Sequence, residues 1–189
     1  MAKVVCEMIV TLDGYARGKR SPAFYGYSGP DFEEWIKTND EVPHRTLIGR
    51  KTYEEMNQLP EELRDESWKT MTTTPGWLFS RTLKTSDWPG LEIVSDDLVD
   101  FVKELKKKDG PELRTIGSVS VVQQLLKAGL VDTLKLVVCP LILPQTGIEP
   151  LFEGLPDTAF DLLSNKVLDN RVLLLEYRQT GAPPYSDEE

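Results

Sequence analysis

The sequence is poor in the residues from which metal centres and disulfide frameworks are built. It holds one histidine, His44, and two cysteines, Cys6 and Cys139, with no Cys-x-x-Cys pair, so the usual zinc ligand sets are hard to assemble and no disulfide scaffold is implied. Both cysteines stand inside apolar runs, the setting of reduced core residues in a cytosolic protein. Basic residues are in the minority: 22 Lys and Arg against 31 Asp and Glu leave a net charge of -9, which argues against nucleic acid and anionic membrane as partners. No stretch of about 18 apolar residues occurs, and the opening MAKVVCEMIV lacks a long apolar core and a small-residue cleavage site. The expected location is the cytoplasm. The sequence also lacks the G-x-G-x-x-G fingerprint of a Rossmann domain and the H-x-E with P-C-x-x-C signature of zinc nucleobase deaminases.

What is present suits one domain. At 189 residues the chain is long enough to bury a core without staples; a single domain is expected over 1–180, followed by a disordered acidic tail at 181–189. Lys3 to Leu12 reads as a buried strand ending at the Asp13-Gly14 turn, and Tyr15 to Pro30, with its glycines, prolines and Phe24, Tyr25 and Tyr27, as a long loop. A helix with an acidic first turn follows from Asp31. Leu59 to Pro75 reads as irregular. Trp77 to Ser80, Leu91 to Val94, Leu113 to Gly117 and Leu134 to Leu143 read as strands, with Pro140 bending the last. Asp96 or Asp97 caps a helix that runs to Lys106-Lys107-Lys108, and a second helix follows Gly117. Two final strands meet at Asp169-Asn170, a hairpin signal. Strands alternating with helices, then a hairpin, describe an α/β domain with a mainly parallel sheet.

Arg45 to Met56 is the stretch with the most chemical content. Leu47-Ile48 meets Gly49, and Arg50, Lys51 and Thr52 follow before a run of helix formers. That order predicts a strand, a tight turn and a helix start, where exposed N–H groups and an adjacent guanidinium hold an anion. Two further strand ends carry Ser80-Arg81 and Gly117-Ser118. A glycine-led helix start suits a pyrophosphate and a pair of arginines suits a ribose 2′-phosphate, so the set points to NADPH over NADH.

The order L-D-G-Y, I-G-R-K-T-Y, F-S-R-T, I-G-S, G-L-V-D, P-L-I-L and P-L-F resembles the dihydrofolate-reductase-like superfamily, and within it the riboflavin-biosynthesis reductase (RibD C-terminal domain) branch, over roughly Val4 to Tyr177. The resemblance implies a three-layer α/β/α fold with a mainly parallel central sheet and an antiparallel C-terminal hairpin, a homodimer, and an NADPH-dependent reduction of a small pterin or pyrimidine-type heterocycle. It assigns Gly49, Arg50, Lys51 and Thr52 to the cofactor turn, Ser80 and Arg81 to the adenosine phosphate, and Gly117 and Ser118 to the pyrophosphate turn. Asp13 and Asp31 are the candidate catalytic carboxylates. Ser118 stands where family members commonly have glycine, and Pro144 to Gly147 replaces a glycine-rich turn. Both departures leave open a non-catalytic or regulatory nucleotide-binding member.

Overall fold

The first strand, β1 (Val4–Thr11), is apolar on both sides. Val4, Cys6, Met8 and Val10 join one core and Ile9 packs on another, the pattern of a strand covered by helices on both faces. In the computed structural model, which describes residues 1–21 and 23–185, the chain continues through β2 (Tyr15–Gly18), α1 (Pro30–Asp40), β3 (His44–Gly49), α2 (Arg50–Met56), α3 (Glu66–Thr73), β4 (Gly76–Phe79), β5 (Leu91–Val94), α4 (Leu98–Lys106), β6 (Glu112–Thr115), α5 (Val119–Lys127), β7 (Thr133–Cys139), β8 (Gly147–Pro150), β9 (Ala159–Leu168) and β10 (Val172–Gly181). Eight strands form one sheet in the order β5-β4-β3-β6-β1-β7-β10-β9. It is parallel from β5 to β7, and β10 and β9 close it as an antiparallel hairpin.

Alternation along β3 separates the layers. Leu47 packs with Val102 of α4 and Val122 of α5, whereas Ile48, the next residue, packs with Tyr53 of α2 and Trp68 and Met71 of α3. α1 covers the same side as α2 further along the sheet, with Phe32, Trp35 and Ile36 against Val137 and Leu174. The architecture is therefore the three-layer α/β/α sandwich with a mainly parallel sheet. Both cysteines are free and buried, and burial pushes the Cys6 thiol up to about 12 and that of Cys139 to about 11, so neither is a nucleophile at neutral pH.

The structure departs from the sequence-based expectation in three places. Tyr15 to Gly18 is a strand rather than loop, paired with β8 across more than a hundred residues of chain in a small second sheet; no local periodicity marks two four-residue strands that stabilise each other. Within the stretch expected to be irregular, α3 forms because the Asp65 side chain accepts the Trp68 N–H at 3.1 Å and Trp68 then meets Trp88 edge to face. β7 ends at Cys139, one residue before Pro140, because proline brings no N–H to the ladder. The hairpin turn is as expected: Asp169 and Asn170 take φ of 49° and 57°, and the Arg171 N–H returns to the Leu168 carbonyl at 3.1 Å. Of the tail, Tyr185 reaches Asp157 through its hydroxyl at 3.2 Å; Ser186 to Glu189 lie outside the described residues.

That hairpin turn also caps α1. The Asp169 carboxylate accepts the N–H groups of Asp31 and Phe32 at 3.0 and 3.1 Å, and Asp31 accepts the Asp169 N–H at 3.0 Å in return. Gly29 is required beside it, since a Cβ there would lie 2.5 Å from the Asp169 carboxyl carbon. Asp169→Ala is expected to lower the unfolding free energy by about 1–2 kcal/mol, measured by urea denaturation; an unchanged midpoint would show that the cap contributes nothing.

Candidate functional site

Sheet order decides which turns meet. β3 lies between β4 and β6, with Gly49 in register with Phe79 and Leu47 with Thr115. Ser80-Arg81, Arg50 to Thr52 and Gly117-Ser118 therefore leave the C-terminal edge of the sheet side by side, where parallel α/β sheets bind their ligands.

Two of these turns are joined by one side chain. Gly117 and Ser118 both take left-handed backbone, φ 51° and 60°, which turns the buried Ser118 hydroxyl toward β3. It accepts the Gly49 N–H at 2.8 Å and donates to Thr52 Oγ1 at 2.8 Å. A Cβ on Gly49 would stand 3.2 Å from Ser118 Oγ, so glycine there permits the approach. The hydroxyl that the sequence offers to a phosphate is thus engaged between two turns of the protein itself.

A cavity of about 250 Å³ opens beside this junction, lined by Gly49, Lys51, Ser118, Val119, Ser120, Gln123 and Glu149. Lys51 Nζ donates to Glu149 Oε1, and Arg17 Nε to Glu149 Oε2 at 3.1 Å; Arg17 also pairs with Glu55 at 2.9 Å. Desolvation works to raise the Glu149 carboxyl, but Lys51 and Arg17 outweigh it and hold the group below the usual carboxylate range. Glu149 is ionised at neutral pH. Lys51 and the Ser120 hydroxyl in the lining, with Arg17 behind Glu149, are groups that can pair with a phosphate-sized anion.

The other predicted residues hold different positions. Arg50 donates to Glu54 on α2 at 3.1 Å. Arg81 is exposed and, among the described residues, makes no hydrogen bond or ion pair. The buried Ser80 hydroxyl accepts the N–H groups of Thr82 and Leu83 at 3.2 and 3.0 Å, closing the turn after β4. Neither Asp13 nor Asp31 lines the cavity. Asp13 accepts the Thr11 hydroxyl at 2.5 Å and the Leu143 N–H at 2.8 Å; desolvation opposes these bonds, yet its carboxyl stays below the usual range. Asp31 faces the hairpin turn already described. Arg17 and Glu149 were missed, because only the β2–β8 pairing brings them together.

A second cavity, also about 250 Å³, is lined by Leu126, Phe152, Leu155, Phe160 and neighbours and shares no residue with the first. Among the described residues no group of three or more His, Cys, Asp or Glu is placed to hold a metal ion, and no helix is long and apolar enough to cross a membrane.

Residues 2–174 match the family described as the RibD C-terminal domain. The chain is 27% identical over 187 residues to the uncharacterised protein YyaP of Bacillus subtilis (strain 168), covering 95% of this chain and 96% of that one. In fold it is similar to a pyrimidine reductase-like protein from Corynebacterium diphtheriae, with TM-score 0.68, 18% identity, and coverage of 95% of this chain and 92% of the other. It is also similar to a diaminohydroxyphosphoribosylaminopyrimidine deaminase/5-amino-6-(5-phosphoribosylamino)uracil reductase from Thermotoga maritima, with TM-score 0.66 and 16% identity; 95% of this chain aligns with 57% of that one.

The Ser118 bridge generates a paired prediction. Ser118→Ala leaves the Gly49 N–H without its partner and keeps a Cβ in left-handed backbone, so it is expected to cost about 1–3 kcal/mol. Ser118→Gly loses the same hydroxyl but relieves the backbone, and is expected to cost less by about 0.5–1 kcal/mol. Guanidinium unfolding of both variants measures the difference; the reverse order would remove the backbone argument.

Proposed function

Since the chain belongs to the RibD C-terminal domain family, we propose that it is an NADPH-dependent reductase acting on a small heterocycle of the pyrimidine or pterin type. The observation that carries this reading is the side-by-side exit of three polar turns from the edge of β4, β3 and β6, with a phosphate-sized cavity beside them. NADPH supplies a hydride for a C=N or C=O carbon. The backbone around Gly49, Thr52, Gly117 and Ser118 lines the path for the pyrophosphate, with Lys51 beside it. Arg50 and Arg81 are the partners for the 2′-phosphate: Arg50 needs only to leave an exposed i,i+4 pair with Glu54, which holds it weakly, and Arg81 is already available. The similar proteins named as a pyrimidine reductase-like protein and as a uracil reductase support the pyrimidine class.

A homodimer in the cytoplasm completes the proposal. Leu162, Val167 and Leu173 lie exposed on the outer hairpin, a patch that a second copy would cover. A second reading, a member that binds the nucleotide without turning it over, draws on one observation: Asp13 and Asp31, the candidate catalytic carboxylates, are held by backbone N–H groups of the protein.

Fluorescence titration tests the cofactor. NADPH is expected to bind in a salt-sensitive manner and NADH much more weakly, and Arg50→Ala and Arg81→Ala each to lose about tenfold in NADPH affinity with little change for NADH. Equal affinity for the two cofactors overturns the NADPH assignment. Consumption of bound NADPH with pyrimidine or dihydropterin substrates then separates a reductase from a sensor.

A further inference from the structure

Glu149 sits in the candidate phosphate cavity in an unusual backbone state. Its φ is 61°, a left-handed conformation in which any residue with a Cβ is strained and glycine is not. The segment is held from α5: Gln123 Nε2 donates to the carbonyls of Pro150 and Leu151 at 3.2 and 3.1 Å, directly after Glu149. From there the carboxylate engages Lys51 through one oxygen and Arg17 through the other. Glu55 takes the remaining reach of Arg17. Two cations and two carboxylates at the groove thus balance, although a groove built only to attract phosphate would leave its cations unmatched.

We propose that Glu149 is a specificity-determining residue, a built-in counter-anion that competes with phosphate for Lys51 and Arg17. A ligand phosphate gains those two cations only as the carboxylate gives them up, so the groove admits strongly anionic pyrophosphate groups and rejects weaker anions. Arg17, from outside the three polar turns, is by the same argument a phosphate-facing residue. The inference rests on the groove being the seat of the cofactor's phosphates, and the test separates the two.

The test compares the full-length protein with Glu149→Gln, which keeps the shape, and Glu149→Gly, which accepts φ 61° freely and protects against failure to fold. Both variants are titrated with NADPH and with inorganic pyrophosphate by calorimetry at low and high salt, with circular dichroism as the folding control. Both are expected to bind either ligand roughly three- to tenfold more tightly than the parent at low salt, and the gain is expected to vanish in an Arg17→Gln, Lys51→Gln background. Equal or weaker binding of both ligands by the Glu149 variants overturns the proposal and leaves the cofactor reading intact wherever NADPH still binds. Tighter pyrophosphate with no NADPH binding by any form supports the counter-anion and overturns the cofactor. Binding of neither ligand by any form overturns both.

Discussion

The two central turns of the candidate site can lie side by side because a buried hydroxyl closes the gap between them. Ser118 Oγ takes the first N–H beyond the apolar part of β3 and gives its proton to Thr52 one turn further on. Each such bond contributes about 1 kcal/mol net. Removing the group leaves a buried donor, which costs more than the bonds contribute. The same contact is eased by glycine at position 49, where a Cβ would stand 3.2 Å from the hydroxyl, and it comes with Ser118 in left-handed backbone. A serine in that conformation is retained at a conformational cost, which its two hydrogen bonds offset. A glycine there would leave the turns free to drift apart, so the departure from a glycine-rich turn exchanges backbone freedom for a fixed junction.

Electrostatics at the same edge follow from an acidic chain holding local cations. With a net charge of -9, the long-range field disfavours a polyanionic ligand, and short-range pairs must decide binding. Three of the four relevant cations have protein partners. Arg50 pairs across an exposed helix face, whereas Lys51 and Arg17 pair with Glu149, whose side chain is only 25% exposed. The Lys51 side chain is itself more exposed than Arg50, 61% against 50%, so both pairs are open to solvent screening, and Arg81, with no partner among the described residues, meets an anion without giving up a pair.

How much of this was legible in sequence depends on the span of each signal. Leu47-Ile48-Gly49-Arg50 carries the strand, the turn and the helix start within a few residues, and the structure has all three there. Asp169-Asn170 specifies its turn because both residues tolerate φ above zero. Where a feature needs a distant partner, local pattern is silent. Gly29 shows no capping side chain, and the cap of α1 comes from Asp169. Arg17 and Glu149 each look like surface charges until β2 meets β8. Trp68 reads as an isolated aromatic in a polar stretch until Trp88 is beside it.

The carboxylates illustrate the same division in chemical terms. A motif identifies an aspartate as available for proton transfer, but availability depends on what its oxygens already accept. Asp13 accepts a hydroxyl and the Leu143 N–H, and those donors stabilise its charged form. These bonds tie the segment that follows β7 to the end of β1. Asp31 ties α1 to the hairpin turn in the same way. Glu149 lines the cavity, but the adjacent cations hold it ionised as well. Asp13 and Asp31 thus brace backbone segments of the protein, while Glu149 balances the cations Lys51 and Arg17.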